Sequence, residues 1–194
     1  IDGTNATLSG SLFVNAAGST LRGLVINRFP NHGIIDDADK TTIQCNFIGT
    51  DVTGTLGLGN GNIGIYVTQT ASNLVSGNLV SGNANYGVVI EGPMAFANRI
   101  EANRVGTTLS GTAALPNTNS GLVLRSGAHD NLIGGAGVGN LISGNGGYGV
   151  DLQHAGTTGN LVLGNAIGTD VTGTQAVGNG GGVQFYDNTE GNQV

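Results

Sequence analysis

The chain has 194 residues, enough for one domain with its own core. Its 37 glycines follow no G-X-Y period, which excludes collagen, and its 38% hydrophobic content argues against disorder. Six Lys+Arg against twelve Asp+Glu give a formal charge of −6, which argues against a nucleic-acid or anionic-membrane partner.

The apolar pattern is short and alternating throughout. In chain order it runs STLRGLVI (19–26), GIIDD (33–37), TTIQCNFI (41–48), GIYVT (64–68), NLVSGNLV (73–80), GVVIE (87–91), NRIEANRV (98–105), GLVLR (121–125), NLIGG…GNLI (131–142), GVDLQ (149–153), NLVLGNAI (160–167), GVQFY (182–186) and a terminal NQV (192–194). The Gly-led members read as Gly with apolar residues at the first and third places after it. The others pair Asn, Ser or Thr with an apolar residue two places on, and a second such pair follows about five residues later. This is the two-residue period of strands, and no stretch carries an amphipathic helix.

Successive units start 22 to 33 residues apart and hold three short strands each. That is the size of one coil of a parallel β-helix. About six coils stacked at the ~4.8 Å strand spacing would make a rod roughly 30 Å long. Inward residues such as Val88, Leu122 and Val150 should then stack in one apolar column.

The heptapeptide GTDVTGT occurs twice, at 49–55 and 168–174, with the variant GTTLSGT at 106–112. All three fall in the long units, so long and short coils alternate with a period of about 60 residues.

These residues resemble the bacterial right-handed parallel β-helix repeat proteins of the pectate-lyase-like superfamily. They are similar in particular to exported proteins in which GNxIGTDxTGTxxxGN alternates with GNxISGNxxxGI. The resemblance covers essentially the whole chain. It implies one all-β, right-handed solenoid domain over 1–194, in a protein that is secreted or held at the cell surface. It implies no single activity, because the fold carries lyases, hydrolases, epimerases, adhesins and phage tailspikes. The ends, IDGT and GNQV, read as those of a segment of a longer exported protein, and the C-terminal coil as a place for end-to-end self-association. No apolar run reaches the length of a bilayer span, so membrane insertion is not expected.

Asn73, Asn98, Asn131 and Asn160 occupy one repeat position, and Asn46, Asn78, Asn103, Asn140 and Asn165 another. An amide both donates and accepts, so stacked asparagines can bond coil to coil. GNGNIG (59–64) matches a nucleotide-loop pattern but lacks a following helix. No GxSxG, HExxH or CxxC is present, and the single Cys45 leaves no intrachain disulfide. His32, His129 and His154 lie at unlike repeat positions and make no metal constellation. Asp51 and Asp170 suit turn closure better than calcium, which wants several carboxylates per site. Equivalent loops two coils apart, roughly 9.6 Å, would not share an ion. No metal or other cofactor is expected on these grounds.

The outward side of the Gly-led strands is the candidate functional face, since the resemblance places substrate grooves along such a face. Its third places, counting Gly as the first, are Ile35, Tyr66, Val89, Val123, Asp151 and Gln184. Its fifth places are Asp37, Thr68, Glu91, Arg125, Gln153 and Tyr186. Glu91, Arg125 and Asp151 form a candidate catalytic set for a polysaccharide lyase or hydrolase. Tyr66, Gln153, Tyr186 and Asp37 are candidate carbohydrate contacts. A surface salt bridge is the simpler reading of the charged set. Tyr86 and Tyr148, 62 residues apart, share a position before the Gly and suit packing at a coil corner or sugar stacking. Because most distinctive residues recur with the repeat, the leading expectation is a structural or adhesive module that can bind extracellular polysaccharide.

Overall fold

The structure is a computed structural model and describes residues 1–7 and 9–194. Every regular element it describes is a strand, and all strand ladders are parallel. The chain winds as a right-handed parallel β-helix whose coils each contribute one strand to three sheets. The first sheet has seven strands: Leu12–Val14, Ile34–Asp36, Ile65–Thr68, Val88–Glu91, Leu122–Arg125, Tyr148–Gln153 and Gly181–Tyr186. The second runs from Thr20–Arg22 to Leu161–Leu163, and the third from Val25–Ile26 to Ala166–Ile167, with six strands each.

The register follows the alternation in the sequence. Val88 pairs with Leu122 and Leu122 with Val150, and all three are fully buried. Ile43, Val75, Ile100 and Ile133 form a second inward column, and Ile26, Ile48, Val80, Val105 and Ile142 a third. A single coil could not bury these side chains, so core and stacking are one feature.

The alternation fails once. Asp36, three residues after Gly33, takes an inward place that is Val67 in the next coil and Val14 in the preceding one, so a carboxylate lies fully buried in the interior. Oδ2 accepts from Thr41 Oγ1 at 2.5 Å, and Oδ1 has no hydrogen-bond partner. Burial drives its pKa up to about 6, although the Thr41 and Ala38 hydrogen bonds pull the other way.

Asparagine ladders run along the three corners. Asn78 Nδ2 donates to Asn103 Oδ1, and Asn103 Nδ2 to Asn140 Oδ1, each at 3.0 Å. Asn98, Asn131 and Asn160 repeat the pattern at another corner. The third ladder, Asn60, Asn83, Asn117, Asn145 and Asn179, was not anticipated, and its rungs are 2.9–3.0 Å. Four of its members stand four places before the Gly of a Gly-led strand. That Gly is demanded by crowding. A Cβ on Gly87 would lie 2.5 Å from Gly121 O, 2.6 Å from Val105 Cγ1 and 2.9 Å from Asn117 Nδ2.

The GTDVTGT loops explain the alternation of coil length. Each is a small hairpin closed by an antiparallel bridge, Thr50 to Gly57, Thr107 to Ala114 and Thr169 to Ala176. They are not isolated at two-coil spacing. Leu109 N donates to Gly54 O and Val171 N to Gly111 O, both at 2.9 Å, so the loops stack into a continuous ridge. The ridge covers the third sheet. Leu79 and Leu141 occupy outward places in the short coils yet are buried beneath it. One loop thus serves two coils, and the coil between needs none.

Candidate functional site

Asp51 and Asp170 close their own turns. Asp51 Oδ1 accepts from Thr55 N and Leu56 N at 3.1 and 3.0 Å, and Oδ2 from Thr53 Oγ1 at 2.7 Å. These bonds, that of Thr53 first, hold its pKa at about 2. Asp170 repeats the arrangement with Thr172, Thr174 and Gln175. Among the described residues, no three His, Cys, Asp or Glu side chains gather as a metal site.

The outward face of the first sheet is a cleft, because the segments leading into its strands rise beside it. Val89 and Val123 take outward places but are fully buried, and with Ile63, Tyr66 and Tyr86 they make a second small apolar cluster. Above it opens a cleft of about 370 Å³ lined by His32, Asn62, Tyr66, Asn85, Tyr86 and Arg125.

A polar network fixes these side chains. Arg125 donates to Glu91 Oε2 from Nε at 2.9 Å and from Nη2 at 2.7 Å, and Tyr66 Oη donates to the same oxygen at 3.0 Å. The guanidinium carbon lies 5.8 Å from the centre of the Tyr86 ring. The His32 ring packs against Tyr66 with centroids 5.1 Å apart. Burial lowers the His32 pKa and the Arg125 cation lowers it further, so the imidazole is neutral at pH 7. Burial raises the Tyr66 pKa, so its hydroxyl stays protonated. The cleft presents amides, phenols and a neutral imidazole, supported from beneath by the buried Val89 and Val123, with its one cation paired to Glu91.

Of the candidate catalytic set, Glu91 and Arg125 are brought together as an ion pair, each side chain 24% exposed. Asp151 is elsewhere. It lies two strands from the one bearing Glu91 and is almost fully buried, with Oδ2 accepting from Gln153 Nε2 at 2.5 Å and Oδ1 unpartnered. Burial raises its pKa, and the hydrogen bond from Gln153 offsets part of the rise. Among the candidate carbohydrate contacts, only Tyr66 lines the cleft. Gln153 is turned to Asp151, Tyr186 is exposed on the strand Gly181–Tyr186, and Asp37 is exposed at the corner after Asp36. Tyr148, the repeat partner of Tyr86, covers Gly181.

Sequence reasoning missed His32, Asn62 and Asn85. Their signal was available: Asn31, Asn62, Asn85 and Asn119 each stand two places before a Gly-led strand, and His32, Ile63, Tyr86 and Ser120 one place before. Two rows therefore flank the strand face. Asn62 N donates to Asn31 O, Asn85 N to Asn62 O and Asn119 N to Asn85 O, at 3.0, 3.2 and 2.9 Å.

Over residues 4–194 the chain matches the family model described as "Periplasmic copper-binding protein (NosD)", and it belongs to that family. No curated protein and no solved structure matches it.

Proposed function

We propose that the protein works outside the cytoplasm as a rigid solenoid that holds carbohydrate in the cleft over the first sheet. The cleft of His32, Asn62, Tyr66, Asn85, Tyr86 and Arg125 carries this reading. Its fixed aromatic rings and amides suit a ligand with apolar ring faces and many hydroxyls. Export is in keeping with the family's description as periplasmic. A glycan array probed with the purified chain tests the reading, and loss of the signal on Tyr66→Ala would place it at the cleft.

The family's description also names copper. Copper centres gather thiolate, thioether or imidazole donors around one point. Here Cys45 and Met94 lie on different coils, His129 Nδ1 engages Asp130, and His154 Nδ1 engages Ser126 Oγ. His32 Nδ1 accepts from Ile63 N at 3.4 Å. These donors do not fit a copper centre within the described residues, and no step is assigned to the metal.

A lyase or hydrolase centred on Glu91, Arg125 and Asp151 is the alternative. The geometry supports it less: Glu91 Oε2 already receives three donors, and Asp151 is buried two strands away against Gln153. A depolymerisation screen separates catalysis from binding. The proposal extends to end-to-end contact through the strand Gly181–Tyr186, where Phe185 and Tyr186 are exposed. Sedimentation across a concentration series reads that contact.

A further inference from the structure

We infer that the cleft selects neutral glycans over polyanionic ones, and that the sugar chain lies along the solenoid axis. The inference rests on the carbohydrate reading above and goes further by naming the ligand's charge and direction.

Charge comes first. Binding a uronate or sulfate would be favoured by a cation whose charge is not already paired. Among the described residues Arg125 is the one cationic side chain lining the cleft, and its charge is paired with Glu91, which accepts from Nε and Nη2. The ion pair leaves the lining with no net charge. His32 adds none, because it is partly buried beside that guanidinium. The formal charge of the whole chain, −6, repels a polyanion at longer range.

Direction follows from the coil repeat. Asn62 and Asn85 are hydrogen-bonded neighbours on successive coils, and Asn31 and Asn119 continue the row on either side. Their amides therefore recur at the ~4.8 Å spacing of parallel strands. That is close to the advance of one sugar ring in an extended glycan. Each amide can both donate to and accept from a hydroxyl, which matches uncharged rings better than carboxylates, acceptors only. The Asn62 and Asn85 amides are already joined, Asn85 Nδ2 to Asn62 Oδ1 at 3.0 Å, so the row is pre-ordered before a ligand arrives. Tyr66 and Tyr86 lie beside the row and supply the apolar contact for ring faces.

The test is isothermal titration of the intact chain with oligosaccharides from neutral polymers (mannan, xylan, β-glucan) and from uronate polymers (polygalacturonate, alginate). Each titration is run at about 20 and 500 mM NaCl, across which unpaired ionic attraction is screened. At least one neutral series should bind with affinity altered less than about twofold by salt. Asn85→Ala should weaken it about tenfold or more, the scale of one lost hydrogen-bonding partner. Tyr66→Phe should keep the floor intact and weaken binding less than Tyr66→Ala. Val52→Thr, on the far ridge, should bind as the parent does. Circular dichroism of each variant checks folding. Binding of uronates alone, weakened by salt, would overturn the neutral assignment while leaving the carbohydrate reading standing. Neutral binding unchanged by Asn85→Ala and Tyr66→Ala would overturn the axial row. Absence of binding by either class would overturn both readings.

Discussion

Arg125 and Glu91 face each other across adjacent strands, and two guanidinium nitrogens converge on one carboxylate oxygen, at 2.9 and 2.7 Å. The pair is partly solvated, so it is worth no more than about 1 kcal/mol of stability by itself. Its larger role is to hold Arg125 over Tyr86 and to fix the Tyr66 hydroxyl. Arg125→Met should cost about 1 kcal/mol in urea denaturation at low salt, and the double variant Glu91→Gln/Arg125→Met should recover part of the loss. Full additivity of the two single changes would show that the pair contributes nothing.

The asparagine ladders should be intolerant of lost donors. Asn103 takes donors from Asn78 on Oδ1 and donates from Nδ2 to Val75 O and Asn140 Oδ1. Asn103→Asp replaces that donor by a second acceptor facing two carbonyl-type oxygens. We expect a loss of about 3 kcal/mol, more than Asn103→Ala, whose cost is the unsatisfied neighbours at about 1–3 kcal/mol. Chemical denaturation of both variants gives the order, and a milder effect for Asp would contradict the ladder's polarity.

Asp36 predicts an unusual dependence on pH. Its folded pKa, raised to about 6, lies above the unfolded value of 3.8. Between these values the folded state binds more protons than the unfolded one. Stability from this group is therefore full below 3.8 and is lost as pH rises through about 6, by about 3 kcal/mol at most. Asp36→Asn should flatten the melting temperature between pH 4 and 7 and raise it at pH 7. Asp51 works in the opposite sense. Its pKa is depressed to about 2, so its contribution is present above 3.8 and lost as pH falls toward 2. A parent whose stability climbs from pH 4 to pH 7 by an Asp36-dependent amount would refute the buried placement.

Gly54 joins two loops of the ridge. A Cβ there would lie 2.7 Å from both Leu109 Cβ and Leu79 Cδ2, at a φ of +66°. Gly54→Ala should cost about 1–3 kcal/mol through strain and overpacking. Gly173→Ala has the same kind of backbone, φ +73°, and open space around it. It should cost about 1 kcal/mol, the strain alone. Equal costs in thermal unfolding would deny that the loops pack on one another.

Chelation should leave the melting temperature unchanged, because Asp51 already closes its turn with Thr53, Thr55 and Leu56. A large drop in scanning calorimetry would reveal an ion completed by backbone oxygens.

What could be read ahead of the structure was local. Val88, Leu122 and Val150 declared their common column through a two-residue period, and Asn78, Asn103 and Asn140 their ladder through spacing. What escaped depends on how one coil lies on the next. The fold-back of 49–58 onto Leu79 is set by loop geometry that no periodicity encodes. His32 looked like one of three scattered histidines because its partner, Tyr66, lies one coil away. Val89 and Val123 were assigned correctly to the outward face, but the rising segments at 62–63 and 85–86 turned that face into a cleft. Asp36 was visible in the sequence and was absorbed into the alternation it breaks.

The alternation of bridging loop and bare coil also constrains how the chain can go wrong. Neighbouring units are alike in their strands, so a coil could dock against the wrong neighbour during folding. A slip of one coil would set a hairpin where the stack has no room for one and strip Leu79 or Leu141 of cover. A slip of two coils would skip the middle loop and place the hairpin at 49–55 against the one at 168–174, again a hairpin on a hairpin as in the native stack. Misassembled forms of this solenoid should therefore differ from the native one by even numbers of coils, a parity rule imposed by the ridge rather than by the core.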